Sequence, residues 1–256
     1  MMYLFLPRMR LNNKKIVMAV SWLLVGAALF GLFWFGSRNG ASSSASDWAS
    51  GILNWPYFKA KDAKSPLPRE FKLNVPFTPQ SPFANWIMPY EEACEETSAL
   101  MVDYYLKHKT FTPPLADQEI LKIVDWEKKM YGDYVHTDVD QTVQLIKQYF
   151  GYKKVRIIEK PTAEQIKREV LAGHPVIVPT AARLLGNPYF RRPGPIYHML
   201  VVTGFQVSHF ITNDPGTKRG ESYRYSDKVL MNAMHDWMGQ DSLMEKGRKV
   251  VIVIDG

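Results

Sequence analysis

The chain has 256 residues, 46% of them hydrophobic and 22% charged, which excludes a disordered protein and allows one domain of ordinary size with appendages. Its formal net charge of +7 is uneven: up to Pro68 eight Lys/Arg stand against two Asp/Glu, and from Arg69 onward 24 against 23. The folded part is thus close to neutral, so no nucleic-acid partner is expected, and the single cysteine, Cys94, excludes an intramolecular disulfide, a Cys-rich zinc site and CxxC redox chemistry.

In chain order, residues 1–15 form a short basic segment with Arg8, Arg10, Lys14 and Lys15. Ile16 to Phe35 (IVMAVSWLLVGAALFGLFWF) contains no charged residue, and as a helix it would be roughly 30 Å long, the thickness of a hydrocarbon core. Residues 16–36 are therefore expected to be an uncleaved transmembrane signal anchor. The excess of Lys/Arg before it keeps the N-terminus in the cytoplasm and sends the rest across. A cleaved signal peptide is the rival reading, with Ser43-Ser44-Ala45 as the small-residue site, but the apolar run exceeds the usual ~7–15 residues of a signal core. Residues 37–68 read as a linker, flexible at SRNGASSSAS and rich in prolines and charges at KAKDAKSPLPRE. The folded domain is expected over 69–256.

Within it, Phe71–Pro76 reads as a short strand, followed by the proline-rich loop FTPQSPFANW. Glu91 to Lys107 is expected to be a helix, with Ala93, Thr97, Leu100, Met101, Tyr104 and Tyr105 on one face. Further helices are expected over Gln118–Lys129, Asp138–Phe150 and Thr162–Ala172, the last opened by the capping-box pattern Thr162-Ala-Glu-Gln165. The period then changes: Pro175–Pro179, Met199–Phe205, His209–Thr212 and Val250–Ile254 read as strands rich in β-branched residues. Helices first and an antiparallel sheet second indicate an α+β architecture.

The residues with chemical potential fall at element ends. Cys94 lies in the first turn of the first long helix, where the partial positive charge of the helix terminus favours a thiolate. Glu91, Glu92, Glu95 and Glu96 surround it and oppose this, so a cationic partner is needed, and an imidazolium is the natural one. Of six histidines, His198 stands immediately before the apolar strand MLVVTGF, where a general base can sit. His174, in a Gly-His-Pro turn, is the runner-up, and His108, His136, His209 and His235 read as structural or solvated. Asp214 follows the next strand. Sixteen residues separate it from His198, enough for one strand, a tight turn and a second strand returning alongside, so its carboxylate can orient the imidazole. Gln80 offers a side-chain amide to a developing oxyanion, together with the Cys94 backbone N–H. Each has a plainer reading: a buried small hydrophobe for Cys94, a satisfied sheet histidine for His198, a turn residue for Asp214, a solvated loop residue for Gln80. The order Gln, Cys at a helix start, His before a strand and Asp after the next strand is much more specific than any one of them.

Through VPFTPQSPFANW, EEACEETSALM, YHMLVVTGF and NDPG, from about Leu73 to Asp214, the sequence resembles the C39-like branch of the papain-like cysteine peptidases. The resemblance implies a papain-like α+β fold, a helical part packed on an antiparallel sheet. It also implies a cysteine-peptidase activity in which Cys94 is nucleophile, His198 base and acid, Asp214 orienter and Gln80 oxyanion donor, without metal or organic cofactor. The expected partners are a peptide or protein substrate and, through the N-terminal helix, the cell membrane, with the domain extracytoplasmic. The sequence departs from the family in lacking the transporter domains usual in bacteriocin-processing members, and in its CEET context. The same Cys–His machinery serves a cell-wall amidase or acyl transferase, and a non-catalytic papain-like surface-binding module is a further alternative. The segment Ala181–Pro195 reads as a loop covering the cleft, and its Arg191 and Arg192 would favour acidic substrates.

Overall fold

A computed structural model describes residues 65–255. The basic N-terminus, the expected anchor at 16–36 and nearly all of the expected linker lie outside the described residues. Among those described, no helix is long and apolar enough to cross a membrane.

Seven strands form one sheet: β1 (Glu70–Lys72), β2 (Val155–Glu159), β3 (Val176–Ala181), β4 (Tyr197–Gln206), β5 (His209–Asn213), β6 (Tyr223–Ser226) and β7 (Val250–Ile254). Their order is β2-β7-β3-β4-β5-β6, every pairing is antiparallel, and β1 attaches to β4. The helices are α1 (Cys94–Leu106), α2 (Pro113–Tyr131), α3 (Val139–Gln148), α4 (Ala163–Leu171) and α5 (Asp227–Ala233). All of β3, all of β7 and β4 as far as Phe205 are buried, so both faces of the sheet's centre are covered. Near-continuous Val/Ile/Leu runs are what such doubly covered strands need. The α+β class and antiparallel sheet follow the sequence reading. The strict order of helices before strands does not, because β2 lies between α3 and α4. β2 (VRIIE), β6 (YRYS) and α5 were also missed. Each is short, and β2 and β6 end the sheet, where partial exposure blurs the alternation that marks a strand.

Local signals explain the helix ends. α3 and α4 open on capping boxes, Asp138 with Gln141 and Thr162 with Gln165, each satisfying two orphan donors of the first turn. The second matches the Thr162-Ala-Glu-Gln165 pattern of the sequence. α1 differs from its expectation in two ways. Tyr90–Glu92 forms a separate 3-10 turn, and Ala93 breaks it from the α-helix, which starts at Cys94 itself. Nor is α1 amphipathic: Cys94 through Tyr104 are all buried, so it is a central helix enclosed on all sides, packed on β4.

β4 changes partners along one edge. Its first half pairs with β3, with Thr180 opposite His198, and its end pairs with β1, with Lys72 opposite Gly204. β5 holds the other edge, with a bulge between Val202 and Gly204. A Cβ on Gly204 would lie 2.6 Å from the Phe71 carbonyl oxygen, so only glycine lets β1 come this close. β1 in turn launches the loop that carries Gln80.

Candidate active site

Cys94 is the first residue of α1, Gln80 lies in the loop after β1, and His198 is the second residue of β4 rather than preceding it. All three line one cavity of about 520 Å³. The loop Tyr189–Pro195 and the segment Gly216–Arg219 form much of its wall, with Trp86, Glu91, Glu92 and Tyr197. Asp214 stands just behind, at the end of β5.

The His198–Asp214 pair is the most completely built part. The β4–β5 hairpin brings the two residues back alongside each other, and His198 Nε2 lies 2.8 Å from Asp214 Oδ1. The same oxygen accepts from the Gly216 amide at 3.0 Å. Oδ2 accepts from the Tyr225 hydroxyl at 2.6 Å and from Asn187 Nδ2 at 3.1 Å. Burial pushes the Asp214 carboxyl up. The His198 charge and the bonds from His198, Tyr225 and the Gly216 amide outweigh that, and the net displacement is downward. Asp214 is therefore a carboxylate, and it fixes Nε2 as a protonated nitrogen. Nδ1 makes no hydrogen bond within the described protein. The ring is gripped on two further sides: Phe190 meets it edge-on with centroids 5.3 Å apart, and a Cβ on Gly216 would lie 2.9 Å from its Cε1. Thr180 Oγ1 donates to the His198 carbonyl at 2.9 Å. Asn187, Phe190, Gly216 and Tyr225 were not singled out by sequence reasoning. Asn187 and Phe190 sit in an irregular loop with no pattern, Tyr225 in a missed strand, and Gly216 is hidden in the turn sequence NDPG.

The thiol side is less conventional. No hydrogen bond joins Cys94 Sγ to the imidazole; the thiol donates instead to Glu95 Oε2 at 2.9 Å. Burial raises the Cys94 pKa well above the ordinary thiol value, Glu95 adds to this by its charge and its hydrogen bond, and the nearby Met199 amide of β4 opposes it. Burial and the adjacent carboxylate outweigh the help expected from the helix terminus. The glutamates around Cys94 are also not alike. Glu91 is exposed and pairs with Arg191 at 3.4 Å, and half-buried Glu92 pairs with His136 at 3.1 Å. Glu95 and Glu96 are fully buried, and Glu96 faces Glu127 of α2. Burial raises the carboxyl pKa of all three, with mutual repulsion adding to it at Glu95 and Glu127. Raised pKa values keep such a cation-free group in the uncharged carboxylic acid form that the interior tolerates.

Gln80 is buried and rigidly held. Its backbone N–H donates to Pro215 at 2.9 Å, and its side-chain Nε2 donates to the Tyr90 and Glu91 carbonyls at 2.8 and 3.1 Å. Both amide hydrogens are thus occupied, and Oε1 is buried without a partner. His174, the alternative histidine, lies with Glu169 3.0 Å away, outside the cavity. Among the described residues no group of His, Cys, Asp and Glu is arranged to hold a metal ion.

The helix-borne thiol and the imidazole of the buried His–Asp pair thus face one cavity. The profile of the Peptidase_C39 like family matches residues 72–241, and the chain belongs to that family. Among solved structures it is similar to a presumed C39-like peptidase from Bacillus anthracis, at 18% identity and a TM-score of 0.50, over 74% of this chain and 98% of the other. It is also similar to the peptidase domain of Streptococcus ComA, a bifunctional ABC transporter of a quorum-sensing pathway, at 12% identity and a TM-score of 0.41, over 71% and 99% of the two chains. No curated protein sequence matches the chain. The likeness to the Bacillus anthracis structure shows the fold.

Proposed function

We propose that the protein is a membrane-anchored, extracytoplasmic thiol hydrolase of the cysteine-peptidase type, with Cys94, His198 and Asp214 as its triad and Gln80 as an oxyanion donor. The observation that carries this reading is the His198 ring, held by Asp214, Phe190 and Gly216 with Nδ1 left over, in the wall of a cavity that Cys94 also lines. The anchor rests on the uncharged run at 16–36 and its basic flank.

In the reaction, Sγ exchanges its hydrogen bond to Glu95 for one to Nδ1 and passes its proton there. The thiolate then attacks a substrate carbonyl carbon. The Cys94 amide and Gln80 stabilise the oxyanion, for which Gln80 gives up one of its bonds to Tyr90 or Glu91. The imidazolium protonates the leaving amine, and a water that loses its proton to the same nitrogen releases the acyl group and regenerates the thiol. Asp214 keeps Nε2 protonated and the ring oriented throughout.

The test is alkylation of Cys94 by iodoacetamide near neutral pH, together with peptide hydrolysis. Labelling lost in His198→Ala and hydrolysis lost in Cys94→Ala, with folding retained, are the expected results; unchanged hydrolysis in Cys94→Ala ends the proposal. A non-catalytic surface module is the second reading, favoured by the buried thiol and its bond to Glu95; labelling that ignores His198 would select it. Protease treatment of intact cells tests the topology, and a domain that resists it before lysis but not after would overturn the extracytoplasmic assignment.

A further inference from the structure

The cavity's charge is one-sided. Arg191, Arg192, Lys218 and Arg219 line it against Glu91 and Glu92. The two acids are already engaged, Glu91 by Arg191 and Glu92 by His136, whereas Arg192, Lys218 and Arg219 have no carboxylate partner among the described residues. Arg219 is also placed: its guanidinium lies over the Tyr189 ring, 4.8 Å from the centroid. Such stacking orients the fork while leaving its edge free for an incoming carboxylate.

The free cations sit on the two loops that grip the proposed catalytic pair. The first loop binds Asp214 through Asn187, packs Phe190 on His198, and two residues later presents Arg192. The second binds Asp214 through the Gly216 amide, closes on the imidazole at Gly216, and then presents Lys218 and Arg219. A ligand that draws in these loops therefore draws on the elements that hold the imidazole. An uncompensated positive rim over a pocket with aromatic walls at Trp86 and Phe190 attracts and orients anionic chains.

Resting on the cysteine-peptidase reading, we infer that the cleft selects acidic peptides, with Arg192, Lys218 and Arg219 receiving Asp or Glu side chains flanking the bond that Cys94 attacks. The three cations stand on two separate loops along one cavity wall, which suits an extended peptide.

The test uses the full chain in detergent and two measurements. In the first, quenched fluorescent peptides matched except for flanking Glu, Gln or Lys are hydrolysed. The Glu series should have the highest kcat/KM, and its advantage should shrink with salt. Arg192→Ala, Lys218→Ala and Arg219→Ala should each cut the Glu-to-Gln ratio about two- to fivefold, the scale of one exposed charge pair, with melting temperatures retained. In the second, hexaglutamate, hexaglutamine and hexalysine compete with iodoacetamide for Cys94. Hexaglutamate alone should protect, and less so in the Arg219→Ala variant. Protection by hexaglutamate without hydrolysis of any peptide would keep acidic-chain recognition and remove the peptidase. Hydrolysis or protection indifferent to charge, or favouring lysine, would overturn the selectivity and leave the peptidase. Equal protection by a polyphosphate of matched charge would make the rim a general anion site and overturn the peptide assignment.

Discussion

Glu95 governs the resting state of Cys94. It accepts the thiol proton at 2.9 Å and, after burial, is the main reason the thiol pKa is raised. Glu95→Gln removes the charge while keeping a hydrogen-bonding side chain, so the pH midpoint of Cys94 alkylation should move down, measured as alkylation rate against pH. An unmoved midpoint would mean that burial alone sets it. Gly216 is the second decisive residue, because an added Cβ would lie 2.9 Å from both His198 Cε1 and Phe190 Cε1. Gly216→Ala should displace the imidazole and lower turnover by tenfold or more. Its cost in stability should be about 1–3 kcal/mol, the usual scale of overpacking. Melting curves and kcat together check this, and a variant with full turnover would show that the ring is not held from that side. The roles of these two residues could not be read from EEACEET or NDPG, where one looks like a solvated helix face and the other like a turn.

Among the elements, β4 carries the most functional weight. Its start holds His198 opposite Thr180 of β3, its middle lies against α1 and the thiol, and its end receives β1. β1 positions the Gln80 loop by pairing at Gly204, and Leu73 continues the contact by donating to the Thr203 carbonyl at 2.8 Å. Gly204→Ala puts a methyl group 2.6 Å from the Phe71 oxygen, and β1 must give way. Loss of about 1–3 kcal/mol in denaturant unfolding is expected, with faster amide exchange in Phe71–Leu73 than elsewhere in the sheet. Uniform exchange would show that β1 is not locally loosened. β4 itself was legible as an apolar β-branched run. Its change of partner was not, because edge pairing depends on residues distant in sequence.

For the whole molecule, the buried acids set the dependence of stability on pH. Glu96 and Glu127 have carboxyl pKa values raised in the fold. Their contribution is complete below the unfolded carboxyl value and is lost as pH rises through the folded values. Glu169 behaves oppositely: His174 and Arg156 pull it down to about 2 against its desolvation. Its contribution is present above the unfolded value and is lost as pH falls through about 2. Glu127→Gln is neutral at every pH, so its melting temperature relative to the unaltered protein should climb between about pH 5 and about pH 8. A pH-independent difference would mean that Glu127 is not a buried acid in the folded state.

The sequence by itself determined the α+β class, the start of α4 and the central strands, because capping chemistry and β-branched runs act over a few residues. It also singled out Cys94, His198 and Asp214, each at an element end where chemistry-bearing side chains are exceptional, and Gln80 in the loop that precedes the cysteine helix. Only the tertiary structure decided what surrounds them. It turned α1 from a half-exposed helix into a central one, drove Glu95 and Glu96 into the interior against Glu127, and brought Asn187 from a loop and Tyr225 from the neighbouring strand β6 onto Asp214. Burial and long-range pairing are properties of the assembled fold, and local spacing carries no record of them.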